Sequence, residues 1–350
     1  MRNKILIVVP SFKILGGVAN HYQGLATHWK YNVEYLFYGK RKKIPAIVTF
    51  LPDLFVYILK MMFFKYDAVI INPSLRPYQL KRDGLYLRIA HFFRKKVVTF
   101  IHGWDYNLAN EISKSPKCFC KTYGRSCFMY VLYSGFKETL DALPWNVPVL
   151  LTTTKVKDEL LDGFDILQRK GEVKTLLFLA RADKLKGLDV TIRTFEMLKR
   201  SNPKLRLIVC GTGNALDETK EYVAENNIQD VCFKGHVAGP EVAEEFKKSD
   251  IYILPTHGEG MATSVLEAMA FGLPIISRPV GGVNDFFKNG EMGYLLESFS
   301  PEEYAGKIQY LIDNPDVVRK MAYNNHEYAK EHFLASKVSE RIENDLEKMI

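Results

Sequence analysis

A chain of 350 residues exceeds one ordinary core and fits two domains. Its 47% hydrophobic and 25% charged content excludes a disordered chain, and five cysteines at this length exclude a disulfide framework. The net charge of +8 is unevenly held: residues 1–150 carry 22 Lys+Arg against 8 Asp+Glu (+14), and the remaining 200 carry 26 against 32 (−6), so the halves meet different partners.

The first apolar run, Lys4 to Val9, is too short for a secretory signal and stops at Pro10, which reads as a buried first strand. Short β-branched runs then alternate with amphipathic stretches, the signature of parallel βαβ units. Strands are predicted at Ile5–Val9, Val33–Phe37, Ala68–Ile71, Val97–Ile101, Tyr130–Leu132 and Val149–Leu151, with helices such as Val18–Trp29 and Leu85–Phe93 between them. The longest apolar stretch, Val48–Phe64, is interrupted by Pro52, Asp53 and Lys60 and falls short of a bilayer span. Cys118, Cys120 and Cys127 cluster without a second pair at zinc spacing and read as thiols of a reduced cytoplasmic protein. After the polar stretch Asp162–Lys174 the alternation restarts at Thr175–Leu179. It continues through Leu205–Val209, Val231–Phe233, Ile251–Leu254, Pro274–Ser277 and Gly293–Leu295. The expected architecture is α/β, with two Rossmann-like doubly wound domains over residues 1–165 and 166–332. A C-terminal helix, 333–350, is expected to pack back on the first domain.

The chemistry concentrates between Glu259 and Glu267. A strand ends at Leu254, a loop with Gly258 and Gly260 follows, and a helix starts near Thr263 or Ser264, both good N-caps, and stops at Gly272 before Pro274. Free N–H groups at a helix N-terminus favour a diphosphate, and a flanking carboxylate accepts hydrogen bonds from ribose or sugar hydroxyls. Glu267 is read into the first turn and Glu259 into the loop before it. By themselves the two carboxylates fit equally well this site and a plainer reading, in which Glu267 merely complements the helix dipole and Glu259 is a surface loop residue.

The wider pattern E-G-x-x-x-S-x-L-E-A-M-A-x-G-x-P resembles the signature of retaining GT-B glycosyltransferases, specifically glycosyltransferase family 4 (group 1). Leu177–Gly187, Leu207–Gly213, Val231–Val237 and Pro274–Gly282 resemble further strand–loop units of that family, as do Gly16-Gly17-Val18 and His102-Gly103 in the first half. Ala180 stands where the family has glycine before Arg181. The resemblance implies that Arg181 and Lys186 neutralise the leaving diphosphate. No D-x-D occurs in the chain, so no divalent metal or other cofactor is expected. It implies that Glu267 holds the ribose, that the Gly235-His236-Val237 backbone lines the base, and that Glu259 grips the sugar hydroxyls. Gly260, Met261, Ala262, Thr263 and Ser264 would line the donor, and Gly16 and Gly17 would let backbone approach the phosphates. His102 would face the sugar, and Asp105 either touches the acceptor or is a turn residue. The implied reaction transfers a hexose or N-acetylhexosamine with retention from a UDP-sugar (GDP-sugar as the second choice) to a glycan or lipid-diphosphate-linked acceptor, in surface polysaccharide or glycolipid synthesis.

The first half adds a location. Lys40–Lys43 precedes an apolar helical stretch, Ile44–Phe64, and Arg94–Lys96 follows another helix with Phe92 and Phe93. Apolar residues nearly encircle Leu51–Phe64, so core packing alone does not explain them. The reading is a surface on anionic lipid at the cytoplasmic face of the membrane, against ordinary sheet-covering helices. Nucleic acid has no module here. Two other functions share the architecture: a non-hydrolysing nucleotide-sugar epimerase and an inactive scaffold. A dinucleotide oxidoreductase lacks its G-x-G-x-x-G turn.

Overall fold

The computed structural model describes residues 4–14, 16–41 and 44–349, so Lys42 and Lys43 of the first basic run lie outside the described residues. The chain forms two compact units, Met1–Lys155 with Ala335–Ile350, and Val156–Leu334.

In the first unit, β1 (Lys4–Pro10), β2 (Asn32–Tyr38), β3 (Ala68–Ile71), β4 (Val97–Phe100), β5 (Phe128–Val131) and β6 (Val149–Leu151) form one parallel sheet in the order β2-β1-β3-β4-β5-β6. Register runs Ile5↔Ala68 to Val8↔Ile71. Helices cover both faces, which is why β1, β3, β4 and β5 are continuous apolar runs rather than alternating ones. The final helix, Ala335–Met349, belongs to this unit and buries Val338, Ile342 and Leu346 at four-residue spacing. Its Glu343 accepts from the Lys30 and Tyr31 amides at 2.7 and 2.9 Å, and Tyr130 donates to Asp345 at 2.9 Å.

The second unit repeats the plan with β7 (Thr175–Leu179), β8 (Arg206–Cys210), β9 (Val231–Gly235), β10 (Ile251–Leu254), β11 (Ile275–Ser277) and β12 (Gly293–Leu295), ordered β12-β11-β10-β7-β8-β9. Residues 156–165, expected in the first domain, belong to this unit, as do Phe333 and Leu334, expected in the last helix. Leu160, Leu161, Phe164 and Leu334 pack against its core, of which Phe333 is a buried member, and Arg169 adds a polar tie. From the polar stretch it donates to the carbonyls of Phe271 (3.1 Å), Phe246 (2.8 Å) and Ser249, tying what reads as a linker to the second core.

Each sheet has one place where the strand order reverses, between β1 and β3 in the first and between β7 and β10 in the second. In a doubly wound sheet the loops leaving the C-terminal ends of such neighbouring strands run in opposite directions, and the ligand usually binds between them.

Candidate functional site

In the second unit the reversal point carries most of the predicted donor residues. Arg181 and Lys186 follow β7, with Lys186 closing a 3₁₀ turn at Lys184–Lys186, and Glu259 follows β10. Lys186 Nζ donates to Glu259 Oε1 in an ion pair whose side chains are only 15% and 17% exposed. The Thr256 hydroxyl lies 3.3 Å from the same carboxylate oxygen and 3.2 Å from the Leu185 carbonyl, and the His257 amide donates to that carbonyl at 2.9 Å. The two loops are thus stitched together around the ion pair. Arg181 points into solvent, 76% exposed, with Asp183 as its partner at 3.0 Å.

The Glu259-Gly260 backbone is fixed from below. Gly282 N–H donates to the Gly260 carbonyl at 2.8 Å, and Gly281 adopts φ +62 with its missing Cβ facing the Glu259 carbonyl, 2.2 Å from where a Cβ would sit. No larger residue fits that position without moving the glutamate loop.

The helix after this loop spans Thr263–Ala270. Its N-cap is Ala262, not Thr263 or Ser264, and no side chain bonds the cap. The chain enters the helix one residue earlier than expected, so Thr263 and Ser264 are helical residues and Glu267 sits in the second turn rather than the first. A start without a side-chain cap leaves first-turn N–H groups and the positive end of the dipole for an anion. Ser264 is positioned by the buried Tyr252 of β10, whose hydroxyl lies 2.7 Å from Ser264 Oγ and donates to the Leu179 carbonyl at 2.9 Å. Burial pushes the Tyr252 phenol well up, so it stays a neutral hydrogen-bonding bridge between the β7 exit and the helix start. Glu267, Met261, Thr263 and Ser264 are half-buried, and Ala262 is buried. Gly235 ends β9, its carbonyl accepting from Gly211 N–H at 2.6 Å, with His236 exposed beyond it.

The first unit brings together different groups. His102, after β4, stacks on Phe100 at 3.7 Å, and its Nε2 lies 3.1 Å from Asn72 Oδ1. Asn72 Nδ2 donates to the Val8 carbonyl at 3.0 Å, which fixes the amide so that Oδ1 receives both His102 and the Tyr22 hydroxyl (2.7 Å). That network assigns the proton to Nε2 and leaves Nδ1 as an acceptor. Burial pushes the imidazole down to about 3, so it is neutral at physiological pH. His21 packs against it at 5.3 Å between centroids.

Gly16 and Gly17 open the Gly17–Leu25 helix, again without a side-chain cap. A Cβ at either would meet open space, so the fold itself does not demand glycine there. Asp105 is the N-cap of the Tyr106–Lys114 helix and accepts from Leu108 N–H at 3.0 Å, the turn alternative of the sequence reading. Among the described residues no group of three or more His, Cys, Asp or Glu side chains is placed to hold a metal.

Sequence reasoning missed Asn72, Tyr252 and Thr256. Asn72 and Thr256 carried one usable signal, a polar residue just past an apolar strand, at Ile71-Asn72-Pro73 and Leu254-Pro255-Thr256.

Residues 163–328 match the family model described as Glycosyl transferases group 1. An uncharacterized glycosyltransferase of Methanocaldococcus jannaschii is 26% identical over 95% of each chain. The capsular polysaccharide biosynthesis glycosyltransferase CapM of Staphylococcus aureus is 27% identical, but over 47% of this chain and 44% of CapM. In fold the chain resembles Anabaena HepE, solved in complex with UDP and glucose, with a TM-score of 0.72 at 14% identity over 99% of each chain.

Proposed function

We propose that this chain is a retaining, metal-independent hexosyltransferase using a UDP-sugar, a reading supported by the match of residues 163–328 to the glycosyl transferases group 1 model and by the GT-B likeness of the fold. The acceptor is a glycan or lipid-linked saccharide, and the product a surface polysaccharide or glycolipid. The match of residues 163–328 to the glycosyl transferases group 1 model favours transfer over the epimerase alternative. The observation that carries the proposal is the Lys186–Glu259 pair at the β7/β10 reversal point, beside a helix whose start has no side-chain cap.

Each part has a chemical task. Diphosphate charge is met by Lys186, by Arg181 from the solvent side and by the N–H groups at Thr263 and Ser264. Glu259 accepts from sugar hydroxyls and Glu267 from the ribose. His102, neutral with Nδ1 unprotonated, accepts a hydrogen bond from a substrate hydroxyl rather than carrying charge. With the leaving phosphate stabilised this way, the acceptor enters on the face the diphosphate departs from, and that phosphate takes its proton. UDP is favoured because HepE was solved with it, and polysaccharide synthesis because CapM carries that name.

The test is a thermal-shift screen against UDP-, GDP-, ADP- and dTDP-sugars, followed by turnover with and without a chelator. A ligand at about 100 times its Kd stabilises by about 2.7 kcal/mol, which for a unit of this size raises Tm by roughly 5–10 °C. No shift with any nucleotide sugar, or activity abolished by chelator and restored by a divalent ion, would refute the reading.

A further inference from the structure

A helix on the surface of a globular unit turns its apolar residues inward and its polar ones to water. The Ala46–Phe63 helix of the first unit is built the other way. Its inward stripe, at every fourth position, is Thr49, Asp53, Tyr57 and Met61, all buried. Three of these are tied by polar bonds. Thr49 donates to the Gly39 carbonyl at 2.9 Å, Asp53 accepts from Gly39 N–H at 3.0 Å and pairs with Arg41, and Tyr57 donates to the Tyr86 carbonyl at 3.0 Å. The outward face is Ile47 (82% exposed), Leu51 (71%), Phe55 (62%) and Phe63 (71%), with Val48, Val56 and Met62 beside them.

Both ends of this face are cationic. Lys40 and Arg41 are exposed before the helix, and Lys65 just after it. Lys95 Nζ donates to the Phe64 carbonyl at 2.8 Å, which brings the Arg94–Lys96 turn and the exposed Phe92 to the far end. The neighbouring acids are already engaged. Glu34 is bonded by Lys60 and Tyr66 and paired with Lys4, Asp67 accepts from Lys4 N–H at 2.6 Å, and Asp53 is buried with Arg41. An apolar strip bounded by exposed cations matches the acyl region and anionic headgroups of a bilayer.

Contrary to the sequence expectation, the helix is long and apolar enough, by length and composition, to cross a membrane, because Pro52, Asp53 and Lys60 do not interrupt it. Crossing would tear Asp53, Thr49 and Tyr57 from their partners and carry a carboxylate into hydrocarbon, so lying flat is the arrangement that keeps every inward bond. We propose that the outward face of the Ala46–Phe63 helix lies in the interfacial plane of an anionic bilayer, with Lys40, Lys65, Arg94 and Lys96 on the headgroups. This inference stands on the first unit's surface and does not depend on the donor reading.

The experiment is co-sedimentation of the full chain with phosphatidylglycerol–phosphatidylcholine vesicles, against pure phosphatidylcholine, from low salt to about 0.5 M NaCl. The wild type is expected to pellet with the anionic vesicles at low salt and to be released as salt rises. The variants are Leu51→Asp, Phe55→Asp, and Arg94→Gln with Lys96→Gln. Either aspartate is expected to cut partitioning tenfold or more, and each lost cation about fivefold. Unchanged melting temperature and nucleotide-sugar shift in the same variants show that the fold and donor site are untouched. Failure of the wild type to pellet, wild-type binding by Leu51→Asp, or salt-insensitive binding to phosphatidylcholine would overturn the proposal. So would a stable dimer that Phe55→Asp dissolves in the absence of vesicle binding, which would assign the face to a second copy.

Discussion

The dependence of the glutamate loop on Gly281 can be put to a number. Replacing Gly281 with alanine places a Cβ 2.2 Å from the Glu259 carbonyl oxygen and 2.6 Å from the Gly260 oxygen, where ordinary contact begins at 3.4 Å. Both obstacles are backbone, so the loop must retreat by about 1 Å, a distance that close packing does not absorb in place. The left-handed φ of +62 costs a further 1–2 kcal/mol, roughly, for any residue with a Cβ. The Gly282–Gly260 hydrogen bond, at 2.8 Å, is lost or stretched, which adds about 1 kcal/mol. A total near 2–3 kcal/mol lowers Tm by roughly 5–10 °C for a unit of this size. Gly290→Ala separates strain from displacement, because Gly290 has φ +83 and open space where its Cβ would be. That control is expected to lose only the 1–2 kcal/mol of strain, roughly, and to bind nucleotide sugar normally. Gly281→Ala is expected to lose about a hundredfold in kcat/KM, the usual cost of a reactive group displaced by about 1 Å. Calorimetric binding and melting on both variants decide it. If Gly281→Ala transfers sugar at the wild-type rate while Gly290→Ala melts equally early, the loop is not positioned by that turn.

Lys186→Ala and Glu259→Ala are each expected to abolish transfer and to destabilise by about 1–3 kcal/mol, because each leaves a largely shielded partner without its counter-charge. The double variant Lys186→Met with Glu259→Gln should recover most of that stability in denaturant titration yet remain inactive; recovered activity would remove the pair from the chemistry. Asn72→Ala is expected to cost about 2–4 kcal/mol, because the Val8 carbonyl, Tyr22 hydroxyl and His102 Nε2–H all lose their partner. Burial holds His102 at about 3 against an ordinary 6.5, so the folded chain binds fewer protons than the unfolded one between those values. Stability is therefore full above 6.5 and is lost as pH falls toward 3, by at most about 2 kcal/mol between pH 7 and 5. Denaturation of His102→Gln should show a shallower acid limb, and identical limbs would mean that the imidazole is already solvated.

The sheets were readable because their strands are uninterrupted apolar runs buried on both faces. Ala68–Ile71, Thr175–Leu179 and Ile251–Leu254 begin and end where the sequence turns polar. Harder to see were elements whose buried side is polar. The helix predicted from Leu85 begins at Pro77, because Arg82 and Asp83 sit inside it as a 2.7 Å pair and look like surface. That pair is tolerable only because Arg82 also stacks on Tyr38 at 4.2 Å and donates to its hydroxyl at 2.9 Å. The same inversion hid the orientation of the Ala46–Phe63 helix. Its sequence is apolar nearly all round, and the buried stripe could be identified only after Asp53 and Thr49 had found Gly39. At the site, spacing located Lys186, Glu259 and, to within a residue, the helix start, but Asn72 and Tyr252 act through contacts with residues distant in sequence, which no local pattern announces.

The charge split between the halves also acquires a different meaning. A balance of +14 over residues 1–150 would place recognition of an anionic substrate there. Yet the polar groups gathered at that sheet's reversal point are Asn72, Tyr22 and a neutral histidine, a set suited to hydroxyls. The groups suited to a diphosphate stand on the other unit, in the half whose net charge is −6. Attraction at contact falls with distance and is screened within about 8–10 Å in physiological salt, so two well-placed cations and a helix start outweigh a distant surplus of carboxylates. The excess of basic residues in the first half is then left without a role in donor chemistry. Its exposed members around the Ala46–Phe63 helix, Lys40, Lys65, Arg94 and Lys96, are where that excess can act, on an extended anionic surface rather than on a single small anion.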